Sequence, residues 1–145
     1  MLVHGDFHLG NALVAPGGGV RALLDWELCT VGHPLADVGL MVAYWGEMGA
    51  AATGPGAMFR EPVTELTGFP GADELVAAYA DASGRDVSDV GRWVAFAYWK
   101  IAIICEGVYR RWLNDRTNGS GAGALGDAVP RLTRLAVDAA DAAAL

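Results

Sequence analysis

The sequence predicts an α+β fold in which helix dominates. Two observations carry this prediction. First, two short runs rich in Val, Leu and Ala flank Pro16-Gly17-Gly18-Gly19, a composition that strongly indicates a hairpin turn. Second, the segments predicted after Pro34 are helices separated by irregular stretches, so the order is one small hairpin and then helices. The 145 residues, 53% of them hydrophobic, suffice for one domain with a buried core.

The strands are predicted close to the N-terminus. Leu2-Val3 is predicted as the end of a strand, and residues 4–11 as a loop. Residues 12–15 and 20–26 are predicted as two short strands that the glycine-rich turn joins into a hairpin.

The helices account for most of the remaining chain. They are predicted over residues 35–45 after Pro34, over 72–83 with Gly84 as the stop, from Ser88 as a cap to about Asp115, and from Leu125 to the C-terminus. Residues 46–71, rich in Gly, Ala and Pro, predict a long irregular segment, and residues 118–123 a flexible break. We therefore expect a single domain over 1–145, composed of 1–45, the irregular 46–71 and the helical 72–145.

Charge and cysteine content exclude some classes of protein. The net charge is −7, from 10 basic and 17 acidic residues, which argues against a nucleic-acid partner because such a partner requires a basic face. Cys29 and Cys105 form no CxxC pair, and no secretory signal is present, so we expect unbonded thiols in a cytoplasmic protein. The most apolar stretch, residues 93–109, contains Lys100 and Glu106, and this predicts a buried core helix rather than a membrane span.

The predicted hairpin brings two oxygen-bearing side chains together. If the turn centres on Gly18, residues whose numbers sum to 36 face each other, so Asn11 lies opposite Asp25. Directly opposed residues have Cβ atoms about 5 Å apart. Two hard oxygen ligands at that separation can share one Mg²⁺ or hold two neighbouring ions.

The loop before the hairpin supplies a third carboxylate or amide side chain. Asp6 lies five residues before Asn11, in the loop that leads into the same strand. A carboxylate at that place can orient an acceptor hydroxyl and take its proton. An isolated Asp in a turn usually serves local backbone hydrogen bonds, so the interpretation depends on His4, Asp6, Asn11 and Asp25 together.

These residues carry a resemblance to a known family. The segment His4-Gly5-Asp6-Phe7-His8-Leu9-Gly10-Asn11, with Leu24-Asp25-Trp26-Glu27, resembles the aminoglycoside phosphotransferase and choline kinase group, which has a protein-kinase-like fold. Gly32-His33-Pro34-Leu35-Ala36-Asp37 and Gly107-Val108-Tyr109-Arg110-Arg111 are similar to phosphotransferase domains related to those fused to acyl-CoA dehydrogenases. The resemblance extends from Leu2 to about Asp115.

The resemblance implies an ATP-dependent small-molecule kinase with Mg²⁺ as cofactor. Asp6 is then the catalytic base, Asn11 and Asp25 bind the metal, and His4 and Asp37 support the catalytic loop. Relatives of this subgroup are thought to phosphorylate hydroxyacyl-CoA thioesters, and an aminoglycoside-like acceptor is the other expectation. An acidic protein can bind a nucleotide when Mg²⁺ lies between carboxylate and phosphate.

The resemblance and the long apolar helix add possible phosphate or acceptor contacts. They are His8, which occupies the position of a lysine in protein kinases, and Lys100, Tyr109, Arg110 and Arg111 on the long helix. The alternatives stay open: His8 facing solvent, or Lys100 extending past apolar neighbours or pairing with Glu106.

The sequence departs from the family pattern in one respect. No Gly-rich phosphate loop and no strand lysine precede the catalytic loop, so the pattern corresponds to a C-terminal lobe without its nucleotide lobe. We therefore expect a chain that is inactive or weakly active alone, with an exposed face for the missing lobe or for self-association.

Two alternatives to a kinase remain open from the sequence. One is a non-catalytic, kinase-derived binding module. The other is a metallophosphatase-like hydrolase, because Gly5-Asp6-Phe7-His8 is similar to a metal motif, although His33 is the only further histidine apart from His4.

Overall fold

The computed structural model describes residues 1–45, 64, 66–117 and 121–144. The strands are β1 (Leu2–Val3), β2 (Ala12–Val14), β3 (Val20–Leu23) and β4 (Thr30–Val31). The helices are α1 (Leu35–Trp45), α2 (Ala72–Ser83), α3 (Val90–Asn114) and α4 (Leu125–Ala143), with short 3-10 helices at Leu9–Asn11, Trp26–Leu28 and Ala122–Ala124. The helix-dominated α+β class is confirmed, as are the bounds of α1 and α2.

The described strands form two antiparallel pairs. Strand β1 pairs with β4, and Leu2 lies opposite Val31. Strand β2 pairs with β3 to form the predicted hairpin. The sequence analysis did not identify β4, because two residues are too short for an alternating pattern.

The predicted register of the hairpin is wrong by one residue. Ala12 lies opposite Leu23 and Leu13 opposite Ala22, so the paired numbers sum to 35 rather than 36. The turn centres on Gly17, since the N–H of Ala15 donates to the carbonyl of Gly19, and a bulge then adds one residue to β3. Asn11 consequently lies opposite Leu24, whose N–H donates to the Asn11 carbonyl at 2.8 Å.

Strand β3 also ends earlier than the predicted residue 26. Its last residue is Leu23, and Asp25 has a left-handed backbone with φ 66°. Such a conformation cannot continue a strand, and residues Trp26–Leu28 turn directly into a 3-10 helix. The chain therefore bends sharply at Asp25, which the sequence analysis predicts as a metal ligand.

The predicted capping role of Ser88 is wrong. Helix α3 begins at Val90, and its N-cap residue is Asp89, whose side chain makes no capping hydrogen bond. The N–H of Ser88 instead donates to Oδ1 of Asp86 at 2.8 Å, which places Ser88 in the preceding turn. Gly84 does end α2, with a left-handed φ of 65°, as predicted.

Helix α3 is the centre of the packing. It lies against α1 on one side and α4 on the other. The buried cluster between them comprises Leu40, Ala43, Ala97, Ile101, Ala102, Cys105, Ala122, Leu125 and Leu132. Gly39 allows the close approach of α1, because a Cβ at that position would lie 2.5 Å from the carbonyl carbon of Trp93.

The expectation that α3 is a buried core helix is only partly correct. Phe96, Trp99 and Ile103 share one face of the helix and are about half exposed. Lys100 is partly buried beside this face. The helix thus covers the core with two sides and leaves an apolar strip on the third.

The remaining predictions concern the irregular segments, the two cysteines and the membrane. Most of the irregular segment 46–71 and residues 118–120 of the flexible break lie outside them. Cys29 is exposed, Cys105 is buried and both are free, so the expectation of unbonded thiols is confirmed. Among the described residues, no helix combines the length and apolar character that crossing a membrane requires.

Candidate active site

The loop over residues 4–6 is held by a carboxylate at the start of α1. Oδ2 of Asp37 accepts a hydrogen bond from the N–H of His4 at 2.7 Å, and Oδ1 accepts one from the N–H of Gly5 at 2.9 Å. Hydrogen bonds to a charged acceptor are stronger than those between neutral groups. Because Asp37 lies in the first turn of α1, the helix dipole also favours its negative charge.

The ring of His4 ties the same loop to the end of β3. His4 is only 3% exposed, and its Nε2 lies 2.8 Å from the carbonyl oxygen of Leu24. Its Nδ1 accepts a hydrogen bond from the N–H of Asp6 at 3.3 Å, so the proton of the neutral ring is on Nε2, which donates to Leu24. Trp26 packs on the ring with a centroid distance of 4.5 Å.

Gly5 occupies a position that admits no side chain. Its φ is 83°, and a Cβ would lie 2.4 Å from the carbonyl oxygen of Leu28. A left-handed backbone favours glycine, and here the close backbone approach demands it as well. The glycine of the motif therefore lets the loop pack directly against the segment that carries Asp25.

Asp6 and Asn11 are in direct contact. The amide Nδ2 of Asn11 donates to the carbonyl oxygen of Asp6 at 2.9 Å and to its Oδ2 at 3.2 Å. Since the nitrogen of the amide is used in this way, Oδ1 is the atom of Asn11 that remains for a cation. Asp6 is about one-third exposed, so its carboxylate is within reach of a ligand.

His8 borders the other side of the Asp6 carboxylate. Its Nδ1 accepts a hydrogen bond from the N–H of Gly10 at 3.1 Å. Its Nε2 therefore carries the proton and lies 3.6 Å from Oδ2 of Asp6. A Cβ on Gly10 would collide with the ring at 2.8 Å, so this glycine leaves room for His8.

Tyr44 is a site residue that the sequence analysis missed. Its ring lies 4.9 Å from that of His8, measured between centroids. Burial raises the pKa of Tyr44 above its ordinary value, and the negative charges of Asp6 and, to a smaller extent, Cys105 raise the pKa further. The seven-residue spacing from Asp37 was the available signal, because it places both side chains on the same face of α1.

Asp25 is placed beside this group by the backbone. It follows Leu24, whose carbonyl binds His4 and whose N–H binds the carbonyl of Asn11. Asp25 is exposed and is the only described non-glycine residue with a positive φ. A residue held in the left-handed region is often found at a functional site, and Asp tolerates this region better than most residues.

Lys100 contacts the loop, whereas the other candidate cations do not. Its Nζ donates a hydrogen bond to the carbonyl oxygen of Gly5. Tyr109, Arg110 and Arg111 lie roughly 15 Å farther along the axis of α3, given ~1.5 Å per residue. The structure therefore brings together His4, Asp6, His8, Asn11, Asp37 and Lys100, and it places the Tyr109–Arg111 segment elsewhere.

The Tyr109–Arg111 segment has other partners. Tyr109 stacks on Trp112 at 5.9 Å and packs against Gly126 of α4. Arg110 forms an exposed ion pair with Glu106 at 2.6 Å, and the hydrogen bond that its Nε donates to the Glu106 carboxylate raises the pKa of the guanidinium. Within the described residues, no group of three or more His, Cys, Asp or Glu side chains could hold a metal ion.

Comparison with known proteins identifies the family. The sequence profile of the phosphotransferase enzyme family, APH, matches residues 1–94. The chain belongs to this phosphotransferase family. Of the six residues that the structure brings together, the matched region contains His4, Asp6, His8, Asn11 and Asp37, and Lys100 lies beyond it.

The similar curated proteins are much longer than this chain. "Acyl-CoA dehydrogenase family member 11" of Mus musculus is 39% identical over 118 residues, which are 77% of this chain and 14% of that protein. "Acyl-CoA dehydrogenase family member 10" of Mus musculus is 32% identical over 143 residues, which are 94% of this chain and 13% of that protein.

A plant protein shows the same pattern. "Probable acyl-CoA dehydrogenase IBR3" of Arabidopsis thaliana is 32% identical over 122 residues, or 77% of this chain and 14% of its own length. The phosphotransferase-family chain thus spans about one-seventh of these relatives. No solved structure matches the chain.

We predict that Gly5→Ala destabilises the protein more than Gly18→Ala. Both glycines have φ near 84°, so both substitutions impose left-handed strain of about 1–2 kcal/mol. Only Gly5 adds a collision, because nothing lies within 4 Å of a Cβ at Gly18. Urea unfolding of both variants measures the difference, and equal losses in free energy of unfolding would contradict the close packing of Gly5 on Leu28.

We also predict that Tyr44 makes stability fall at alkaline pH. Its pKa is raised in the folded protein above the ordinary value of 10.0, so the folded state retains the phenol proton that the unfolded state releases. The resulting stabilisation is complete below about pH 10 and is lost as the pH rises through the raised pKa. Tyr44→Phe should flatten this decline between pH 9 and 11 in urea unfolding, and an unchanged slope would contradict the assignment.

Proposed function

We propose that this chain forms the acceptor and metal side of a small-molecule kinase site, in a fold like the C-terminal lobe of a protein kinase. The reaction is transfer of the γ-phosphoryl group of ATP to an alcohol. Family membership supports the reaction type. The single observation that carries the proposal is the position of Asp6, which Asn11 contacts through its amide and the His4–Asp37 network holds from behind.

In this proposal Asp6 is the general base. The acceptor hydroxyl gives its proton to the carboxylate as its oxygen bonds to the γ-phosphorus, and the bond from that phosphorus to the ADP oxygen breaks. Asn11 and His8 both approach Oδ2 of Asp6. This leaves Oδ1 to receive the proton. The transition state is loose, so orientation and charge neutralisation account for most of the rate.

In this proposal Asn11 and Asp25 bind the magnesium ion, since the described residues hold no cluster of three or more His, Cys, Asp or Glu that could bind it without an amide ligand. Oδ1 of Asn11 and the exposed carboxylate of Asp25 are hard oxygen ligands of the kind that Mg²⁺ takes. When bound, the ion would neutralise charge on the nucleotide phosphates. Because Asn11 lies opposite Leu24 and not Asp25, the pairing of the two strands gives no support to a shared ion. The left-handed turn at Asp25 supports the site instead, because it bends the chain beside Leu24, which is bonded to Asn11.

We favour a hydroxyacyl thioester over an aminoglycoside as the acceptor. The names of the similar proteins refer to acyl-CoA. On this chain, the half-exposed strip of Phe96, Trp99 and Ile103 lies next to Lys100, which contacts the loop that carries Asp6. An apolar strip beside the base suits an acyl chain better than a polycationic sugar.

We predict that Asp6→Asn lowers kcat by about 10²- to 10⁴-fold with little change in KM, because it removes only the proton acceptor. The measurement is phosphoryl transfer from ATP with Mg²⁺ to hydroxyacyl-CoA and to aminoglycoside acceptors. Asp141→Asn, an exposed carboxylate on α4, is the matched control and should behave like the wild type. Equal turnover by Asp6→Asn and wild type would contradict the proposed base.

We further predict that the 145-residue chain alone transfers phosphate slowly. Its sequence supplies a base and two metal ligands but no Gly-rich loop or strand lysine to orient the triphosphate, and lost orientation can cost several kcal/mol of barrier. Adding a separately expressed nucleotide-binding lobe should raise the rate at least tenfold. Fast turnover by the chain alone, abolished by Asp6→Asn, would contradict this expectation. Nucleotide binding without transfer under either condition would favour a binding module.

A further inference from the structure

Lys100 is the only lysine of the chain, and its surroundings are unusual for a lysine. It lies on α3 beside Ile101, which is 1% exposed, and one turn from Ala97, which is 2% exposed. The aliphatic stem of a lysine often packs on apolar surface, but its ammonium rarely leaves water unless it finds a partner. The partner is the carbonyl oxygen of Gly5, 95 positions earlier in the sequence.

No carboxylate competes for this ammonium within the described part of the chain. The ion pairs there are His8–Asp6, Arg92–Asp89 and Arg110–Glu106. Lys100 therefore directs its hydrogen bond to a backbone carbonyl rather than to an acidic side chain. A charged donor makes this bond stronger than one between neutral groups.

The hydrogen bond completes the fixation of one peptide unit. This unit joins Gly5 to Asp6, and its oxygen accepts from Lys100 while its N–H donates to Nδ1 of His4 at 3.3 Å. The N–H of Gly5 itself donates to Asp37 at 2.9 Å. Asp37 of α1 thus binds the N–H of Gly5, and Lys100 of α3 binds its carbonyl oxygen.

The orientation of this peptide unit matters for Asp6. Rotation of the unit sets φ of Asp6, and the direction of the Asp6 side chain depends on that torsion. Gly5 does not resist rotation, because glycine has access to many backbone torsions. General base catalysis needs the carboxylate within hydrogen-bond reach of the proton, and a displacement of about 1 Å can cost ~100-fold in rate.

We propose that Lys100 is a positioning residue, which fixes the Gly5–Asp6 peptide unit and thereby orients the Asp6 carboxylate toward the acceptor hydroxyl. The catalytic part of this inference rests on the proposed function of Asp6. The anchoring part does not, because it concerns a hydrogen bond that exists without substrate. The two parts are therefore tested by separate measurements.

The anchoring is tested by NMR on the full chain labelled with ¹⁵N-lysine and ¹⁵N-aspartate. Because the chain has a single lysine, its ammonium gives one side-chain signal, and the expected result is slow proton exchange with water. In Lys100→Met, the Asp6 amide should exchange at least tenfold faster than in the wild type. Lys100→Arg keeps a charged donor and should restore most of the protection.

The matched control is Arg92→Met, which removes an exposed cation from the same helix and should leave the Asp6 amide unchanged. An Asp6 amide unaffected by Lys100→Met, or affected equally by Arg92→Met, overturns the proposal. If Lys100→Met does not fold, the wild-type signal decides. The proposal is overturned if the ammonium protons of the wild type exchange as fast as those of free lysine. It is supported if they exchange slowly and the Asp6 amide of Lys100→Arg is as well protected as that of the wild type.

The catalytic part is tested by kinetics with whichever acceptor the wild type phosphorylates. Lys100→Met should lower kcat about 100-fold with KM changed less than twofold, and Lys100→Arg should recover at least a tenth of kcat. A loss that appears in KM alone overturns positioning and indicates substrate contact. Absence of transfer by the wild type, with a separately expressed nucleotide-binding lobe added, contradicts the proposed function, whereas the exchange measurements still decide the anchoring.

Discussion

The rest of the site depends on the hydrogen bonds that the carboxylate of Asp37 accepts. This carboxylate accepts hydrogen bonds from two consecutive backbone N–H groups, those of His4 and Gly5, and so fixes the loop to the first turn of α1. From that anchor, the His4 ring binds the end of β3 and the N–H of Asp6. Without Asp37, two partly buried backbone donors would lack partners, which costs about 1–3 kcal/mol each.

The local features of the chain could be predicted from its sequence. The start of α1 after Pro34 and the end of α2 at Gly84 follow from backbone preferences that single residues impose. The grouping of His4, Asp6 and Asn11 follows from short spacing, because residues within eight positions of one loop are forced to be neighbours. The sequence also predicted that both cysteines are free thiols, because Cys29 and Cys105 lie on different predicted elements.

The exact register of the hairpin and the contacts between residues far apart in the sequence could not be predicted. A three-residue loop and one bulge moved the hairpin register, and no composition signal fixes where a bulge occurs. Lys100 is a possible phosphate or acceptor contact from its sequence context, and only tertiary packing shows that it contacts Gly5. Tyr44 was missed because it carries no motif and acts through packing beside His8.

We propose that the loop, the hairpin and the turn at Asp25 converge on one divalent cation beside Asp6. Paramagnetic Mn²⁺ tests this directly, because it accepts the same oxygen ligands as Mg²⁺ and broadens nearby NMR signals. We expect selective broadening of the Asn11 side-chain amide and of the Asp6 and Asp25 backbone amides, reversed by excess Mg²⁺. Broadening confined to other exposed carboxylates, such as Asp73 and Glu74 on α2, would contradict it.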